Sequence, residues 1–221
     1  MNSAIAHYWE QSDSFGHAIT ILLLLMSLLS WSLILSKSWS FWRVRRTARQ
    51  LPQFWRAPSW QDALNGLNHV DSEGIYASLA QAAADANDPQ QRAAAFTANA
   101  EAAQAVMRAL RAQLQVLTTR LENGLTLLAS IGATAPFVGL LGTVWGIFHA
   151  LTAISTSGHV QIDQLAGPVG EALIMTAFGL MVAIPAVLAF NALHRVNRIT
   201  LAELDGFAHD LQTHLHPPGN R

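Results

Sequence analysis

The chain has 221 residues, of which 51% are apolar and only 12% charged, and its net charge is −1. With a positive mean hydropathy, this composition excludes an ordinary soluble domain, and near-neutrality removes nucleic acid from the expected partners. No cysteine is present, so disulfides, thiolate chemistry and cysteine metal sites are all ruled out.

Where the charges fall is more informative than their number. Every Lys and Arg lies between Lys37 and Arg120 or from Arg195 onward, leaving apolar runs at about 18–35, 125–154 and 172–193. The expected fold is therefore all-α, a polytopic membrane protein with three transmembrane helices, the second and third extending as long helices into the cytoplasm. Arg43, Arg45, Arg46 and Arg49 follow the first run closely, which puts the N-terminus outside and the C-terminus inside. In chain order we expect an outer arm at 1–17, a first span at 18–42 and a cytoplasmic helical region at 43–122. A second span at 123–155, an outer loop at 156–167, a third span at 168–193 and a cytoplasmic helix and tail at 194–221 follow.

Residues Met1 to His17 carry Glu10 and Asp13 but no Lys or Arg, the reverse of a cleavable signal peptide, so the first span is expected to remain. Trp39 and Trp42 mark an inner interface belt, with Tyr8 and Trp9 on the outer side. In the polar region, Ser59-Trp60-Gln61-Asp62 reads as a helix cap, and Asp88-Pro89 supplies a second cap with Pro in the first turn. From Gln90 to Glu122 there is neither Gly nor Pro, so a helix there is expected to run straight into the second span.

Within the second span, Gly139, Gly142, Thr143, Gly146 and Ala150 recur at helical spacings, forming a narrow stripe of small residues. In lipid such a stripe lets backbones approach, the mark of an inner helix in a bundle of several chains. Gly167-Pro168 is expected to start the third helix, whose apolar run is interrupted by Thr176, Gly179 and Pro185. Pro136 and Pro185 each remove a backbone donor.

Glu171 and His149 are the ionisable side chains in or against these two spans. A carboxylate there faces a cavity, a partner or the interface, although the first turn of a helix also suits an anion. Thr143 and Thr176 each have the local alternative of bonding a carbonyl one turn back. One hydroxyl mid-span on each of two antiparallel helices nevertheless suits a shared lining. On a straight helix Glu171 and Thr176 are about 140° apart, so a single stripe does not hold both. His149 reads as a packing residue, and His209, His214 and His216 as a solvated tail, so no metal site is expected. No His-Glu-x-x-His, Gly-x-Ser-x-Gly or phosphate-loop pattern occurs, and an enzyme is not expected.

The stretch from Glu122 to Ile147, with Ala135-Pro136-Phe137-Val138-Gly139-Leu140-Leu141-Gly142-Thr143-Val144-Trp145-Gly146 at its centre, strongly resembles the second span of ExbB and TolQ proteins. Ala166 to Ala177 and Ala183-Ile184-Pro185-Ala186-Val187 resemble their third span, with a more distant similarity to MotA stator subunits. Thr134 to Val138 is worded more like ExbB than TolQ. The resemblance implies a bacterial inner-membrane protein with a periplasmic N-terminus and a cytoplasmic C-terminus. It further implies a homo-oligomer, a pentamer around an ExbD-like single-span partner, that energises a TonB-like protein for import across the outer membrane. Thr143, Thr176 and Glu171 match the family's proton-pathway positions, and Gly139, Gly142, Gly146, Pro136, Gly179 and Pro185 its helix-packing positions. Protons are the implied coupling ion, with no cofactor, and membrane lipid is the surrounding partner. A TolQ-like role in the Tol-Pal envelope-maintenance system, or a passive membrane scaffold, are the alternatives.

Overall fold

The computed structural model describes residues 14–88, 99–157 and 162–215, which are helical apart from short turns, with no strand among the described residues. The helices are α1 (Ser14–Ala48), α2 (Leu51–Phe54), α3 (Trp60–Val70), α4 (Ile75–Asn87), α5 (Asn99–Glu122), α6 (Leu125–Ser157) and α7 (Ile162–Leu215). Three helical stretches are long and apolar enough to cross a membrane, and they fall on α1, α5–α6 and α7. The chain divides into an apolar unit, residues up to Leu35 with Gly124–Ala192, and a polar unit, Ser36–Asn123 with Leu193–Arg221.

In the apolar unit, α1 runs from Ser14 because no Gly or Pro interrupts it between Gly16 and Pro52. Its Ile19 and Leu23 pack on Ala135 of α6 and on Met175 and Ala183 of α7. Leu24, Leu28, Phe137, Val144, Leu173 and Leu188 remain exposed on this single chain. Apolar surface on that scale suits lipid or another subunit rather than water.

In the polar unit, aromatic rings hold the short helices to α7. Phe207 lies edge-on to Phe54, Trp55 and Tyr76, with centroids 5.5, 5.7 and 5.5 Å away. Ser59 caps α3 as expected, accepting from the Asp62 N–H at 3.1 Å. α4 begins on Gly74, which has no side chain to cap with and sits at φ +66°. The cap comes instead from buried Asp71, whose Oδ2 accepts from the Ala77 N–H at 2.8 Å. Between these two residues Glu73 reaches Arg43 of α1 at 2.6 Å and Arg120 of α5 at 3.8 Å.

Three boundaries differ from the sequence reading. The helix expected to enter the second span unbroken stops at Glu122 and restarts at Leu125, because Gly124 takes φ +83°, a left-handed conformation that glycine adopts without strain. Lys37 Nζ, 3.2 Å from the carbonyls of both Arg120 and Leu121, satisfies the freed end of α5 where the helix dipole favours a cation. The outer loop expected at 156–167 is largely helical, since α6 continues to Ser157 and α7 starts at Ile162. Gly167-Pro168 therefore lies inside α7 rather than at its start; the fixed φ of proline is helical, but the ring removes one intrahelical bond and crowds the carbonyl one turn back. Asp88 is the C-terminal cap of α4, while Pro89 lies outside the described residues, as do residues 216–221 and residues 1–13 of the arm expected at 1–17, whose last four residues belong to α1.

Burial raises the Asp71 carboxyl above its ordinary value, against the backbone donors that lower it. A raised folded-state value means that the charged form is penalised, so its contribution is fully present in acid and is lost as pH rises. Asp71→Asn keeps an acceptor for the cap without a charge. It is expected to match or exceed the native chain by up to about 1 kcal/mol at pH 7.5, with the gap closing toward pH 4. Asp71→Ala is expected to lose about 1–2 kcal/mol at both. Thermal unfolding of the three proteins in detergent at the two pH values checks this.

Candidate functional site

The site is built where α6 and α7 touch. A Cβ placed on Gly139 would meet the Met175 carbonyl oxygen at 2.7 Å, and one on Gly179 would meet the Ala135 carbonyl oxygen at 2.6 Å. Backbone lies on backbone here. Gly142 faces Met175 and Ile19, and Gly146 faces Ala172, so the small-residue stripe is occupied by helices of the same chain. The stripe had been expected to signal contact between chains; within one chain it is already used.

Thr143 and Thr176 flank this crossing. Met175 faces α1 through Ile19 and Leu23, and Gly142 meets Ile19 as well. One residue on, about 100° around each helix, Thr143 and Thr176 therefore lie on the edge of the seam away from α1. Thr176 Oγ1 donates to Thr143 Oγ1 at 3.4 Å, and Thr143 Oγ1 donates to the Leu140 carbonyl at 2.7 Å. The first of these bonds is long for a hydroxyl pair and so weak, the second ordinary. Thr143 is buried at 5% exposure whereas Thr176 is half-buried, which leaves Thr176 as the open end of the pair. Both donors point inward, so the outer oxygen offers lone pairs.

Glu171 is half-buried and falls four residues before Met175, on the edge of α7 that α1 covers. The structure thus joins the two threonines and leaves Glu171 on another edge of the helix. Pro136 and Pro185 lie inside α6 and α7, and both helices continue through them. His149 stacks near Trp145, 5.6 Å between centroids. Among the described residues no cluster of His, Asp or Glu has metal-binding spacing.

One further feature escaped the sequence reading. Thr126, Ser130 and Thr134 recur every four residues along an exposed face of α6. Ser130 and Thr134 donate to the carbonyls of Thr126 and Ser130 at 2.9 and 2.8 Å, which satisfies their donors locally and leaves acceptors outward. The four-residue spacing was the available signal.

Comparison with known proteins agrees with this architecture. The sequence model of the MotA/TolQ/ExbB proton channel family matches residues 68–205, well over half the chain. The chain belongs to that family. A biopolymer transport protein ExbB of Xanthomonas campestris pv. campestris is 46% identical over 198 residues, covering 87% of this chain and 78% of the relative. One from Neisseria meningitidis serogroup A is 40% identical over 214 residues, 94% of each chain. A Tol-Pal system protein TolQ of Haemophilus influenzae is more distant, 31% identical over 209 residues, 90% of this chain and 87% of the relative. This MotA/TolQ/ExbB protein is accordingly a multi-pass membrane protein whose relatives are named as biopolymer transport and Tol-Pal system proteins.

The crossing gives a direct test. Gly179→Val places carbon where the Ala135 carbonyl oxygen sits, and it is expected to cost about 1–3 kcal/mol or prevent assembly. Gly170→Ala meets nothing within 4 Å and is expected to leave the unfolding midpoint in detergent unchanged.

Proposed function

We propose that this chain is an ExbB-like subunit of a proton-motive-force-driven complex of the bacterial inner membrane. With an ExbD-like single-span partner it energises a TonB-like protein for import across the outer membrane. The observation that carries the reading is the hydroxyl pair, with Thr176 open on the edge of the seam away from α1. The ExbB proteins of Xanthomonas campestris and Neisseria meningitidis, at 46% and 40% identity over most of the chain against 31% for the TolQ of Haemophilus influenzae, favour import over envelope maintenance.

The chemistry follows from the direction of the bonds. A partner's protonated carboxyl donates its O–H to the free lone pairs of Thr176. Once that carboxyl loses its proton it needs a donor, and Thr176 can turn its own hydrogen from Thr143 to the carboxylate. Breaking a 3.4 Å bond costs little, so the pair answers the partner's charge state without rearranging the helices. Thr143 keeps its firm bond to Leu140 throughout and holds the pair in register. Glu171, near the start of the third span, supplies a carboxyl group at the entrance, on a different edge of α7 from Thr176. A field of 100 mV supplies about 2.3 kcal/mol per charge, roughly fiftyfold in an equilibrium. Protons act as the coupling ion, several copies surround the partner, and the C-terminus lies in the cytoplasm.

Thr176→Val and Glu171→Ala are expected to abolish TonB-dependent iron-siderophore uptake while the protein still co-purifies with its single-span partner. Thr176→Ser is expected to retain uptake. Full uptake in both Thr176→Val and Glu171→Ala would refute the lining role and leave a passive scaffold. Rescue of a detergent-sensitive strain, but not of an uptake-deficient one, would place the chain with TolQ.

A further inference from the structure

A second site lies in the polar unit, and it is independent of the proton pathway. Between the end of α1, the short α2, α4 and the end of α7 is an open cavity of about 830 Å³. Arg45, Arg49 and Arg56 line it, and none of the three enters an ion pair among the described residues. Tyr76 also lines it. This side chain is wholly buried, at 0% exposure, yet its hydroxyl has no hydrogen-bond partner among the described residues. A buried, unpaired O–H is unfavourable, and an acceptor reaching it from the cavity would relieve that. The wall also carries two carboxylates, Glu203 and Asp210, and the rings of Trp55 and Phe207.

These groups select a ligand by elimination. Three guanidiniums can only donate and the phenol has a free O–H to donate, so together they suit an acceptor-rich anion, and guanidinium geometry matches phosphate oxygens two at a time. Glu203 and Asp210 would repel a bare anion, but they accept from hydroxyl groups placed beyond it. The volume is that of a small organic molecule, well above a single phosphate ion. We propose that this cavity binds a phosphate ester bearing hydroxyl groups, with its phosphate on Arg45, Arg49, Arg56 and Tyr76 and its hydroxyls on Glu203 and Asp210. Two sources supply that chemistry. One is a soluble ribose phosphate, and the other is the glycerol phosphate headgroup of an anionic lipid. The second is within reach because Arg45 follows the exposed Trp42 by only about 5 Å along α1, and Arg49 comes just past the end of that helix.

The full-length protein in phosphatidylcholine nanodiscs is titrated at constant ionic strength with adenosine monophosphate and, separately, with inorganic phosphate, following the unfolding midpoint. A parallel series replaces up to 30% of the lipid with phosphatidylglycerol. The expected result is a saturable rise in midpoint in at least one series, with inorganic phosphate about tenfold or more weaker than the nucleotide. A rise with the nucleotide assigns a soluble ligand, and a rise with phosphatidylglycerol alone assigns the lipid headgroup. Arg45→Gln/Arg49→Gln is expected to weaken the response about tenfold or more, and Tyr76→Phe, which keeps the ring, to weaken it as well. Arg108→Gln/Arg111→Gln, outside the cavity lining, is expected to leave it unchanged. The proposal is overturned if the native protein responds in neither series, or if the cavity variants respond as it does. A midpoint that depends on protein concentration but on neither probe also overturns it, in favour of a second copy closing the cavity.

Discussion

The apolar unit depends on one close approach, Gly139 against Gly179, where α6 and α7 meet with no side chain between them. Lipid supplies no hydrophobic drive to bring two helices together, so their association rests on packing and on hydrogen bonds across the seam. Close backbones provide the first. They also bring Thr143 and Thr176, each a few residues from the crossing, near enough for the second. The same two glycines that hold the helices together thus position the hydroxyl pair, and α1 closes the opposite edge through Ile19 and Leu23.

The polar unit is held by different means. Its core is aromatic, centred on Phe207, and its turns are secured by single side chains that reach across to backbone. Asp71 caps a helix that begins on a glycine, and Lys37 closes a helix that ends beside one. Each replaces a cap that the local sequence does not provide. Asp71 does so from a buried position, where its charged form is penalised and the backbone donors offset part of that cost.

Much of this was legible in the residues. Three apolar runs free of Asp, Glu, Lys and Arg marked the spans, and the spacing of Gly139, Gly142 and Gly146 marked the packing face of α6. The Ser59 cap followed from its own four residues. What stayed hidden depends on contacts distant in sequence. Nothing near Asp71 announces that its side chain will cap six residues downstream, and nothing near Lys37 announces carbonyls more than eighty residues away. Pro168 misled because α7 runs through it despite the lost bond and the crowding of the carbonyl one turn back, so a proline does not by itself set a helix boundary. The partner of the glycine stripe was equally hidden, because a stripe states that something comes close without stating whose backbone it is. The arginine cavity could not be seen either, as its walls come from residues 45–56, 76 and 203–210.

The spacing at the crossing has a consequence for where water can travel. A gap that cannot admit a methyl carbon cannot admit a water molecule, so the seam between α6 and α7 is sealed at Gly139 and Gly179. One copy of the chain encloses no conduit along this seam. Any hydrated thread touching Thr176 must run along the outer edge of the helical hairpin, with its far wall supplied by another molecule.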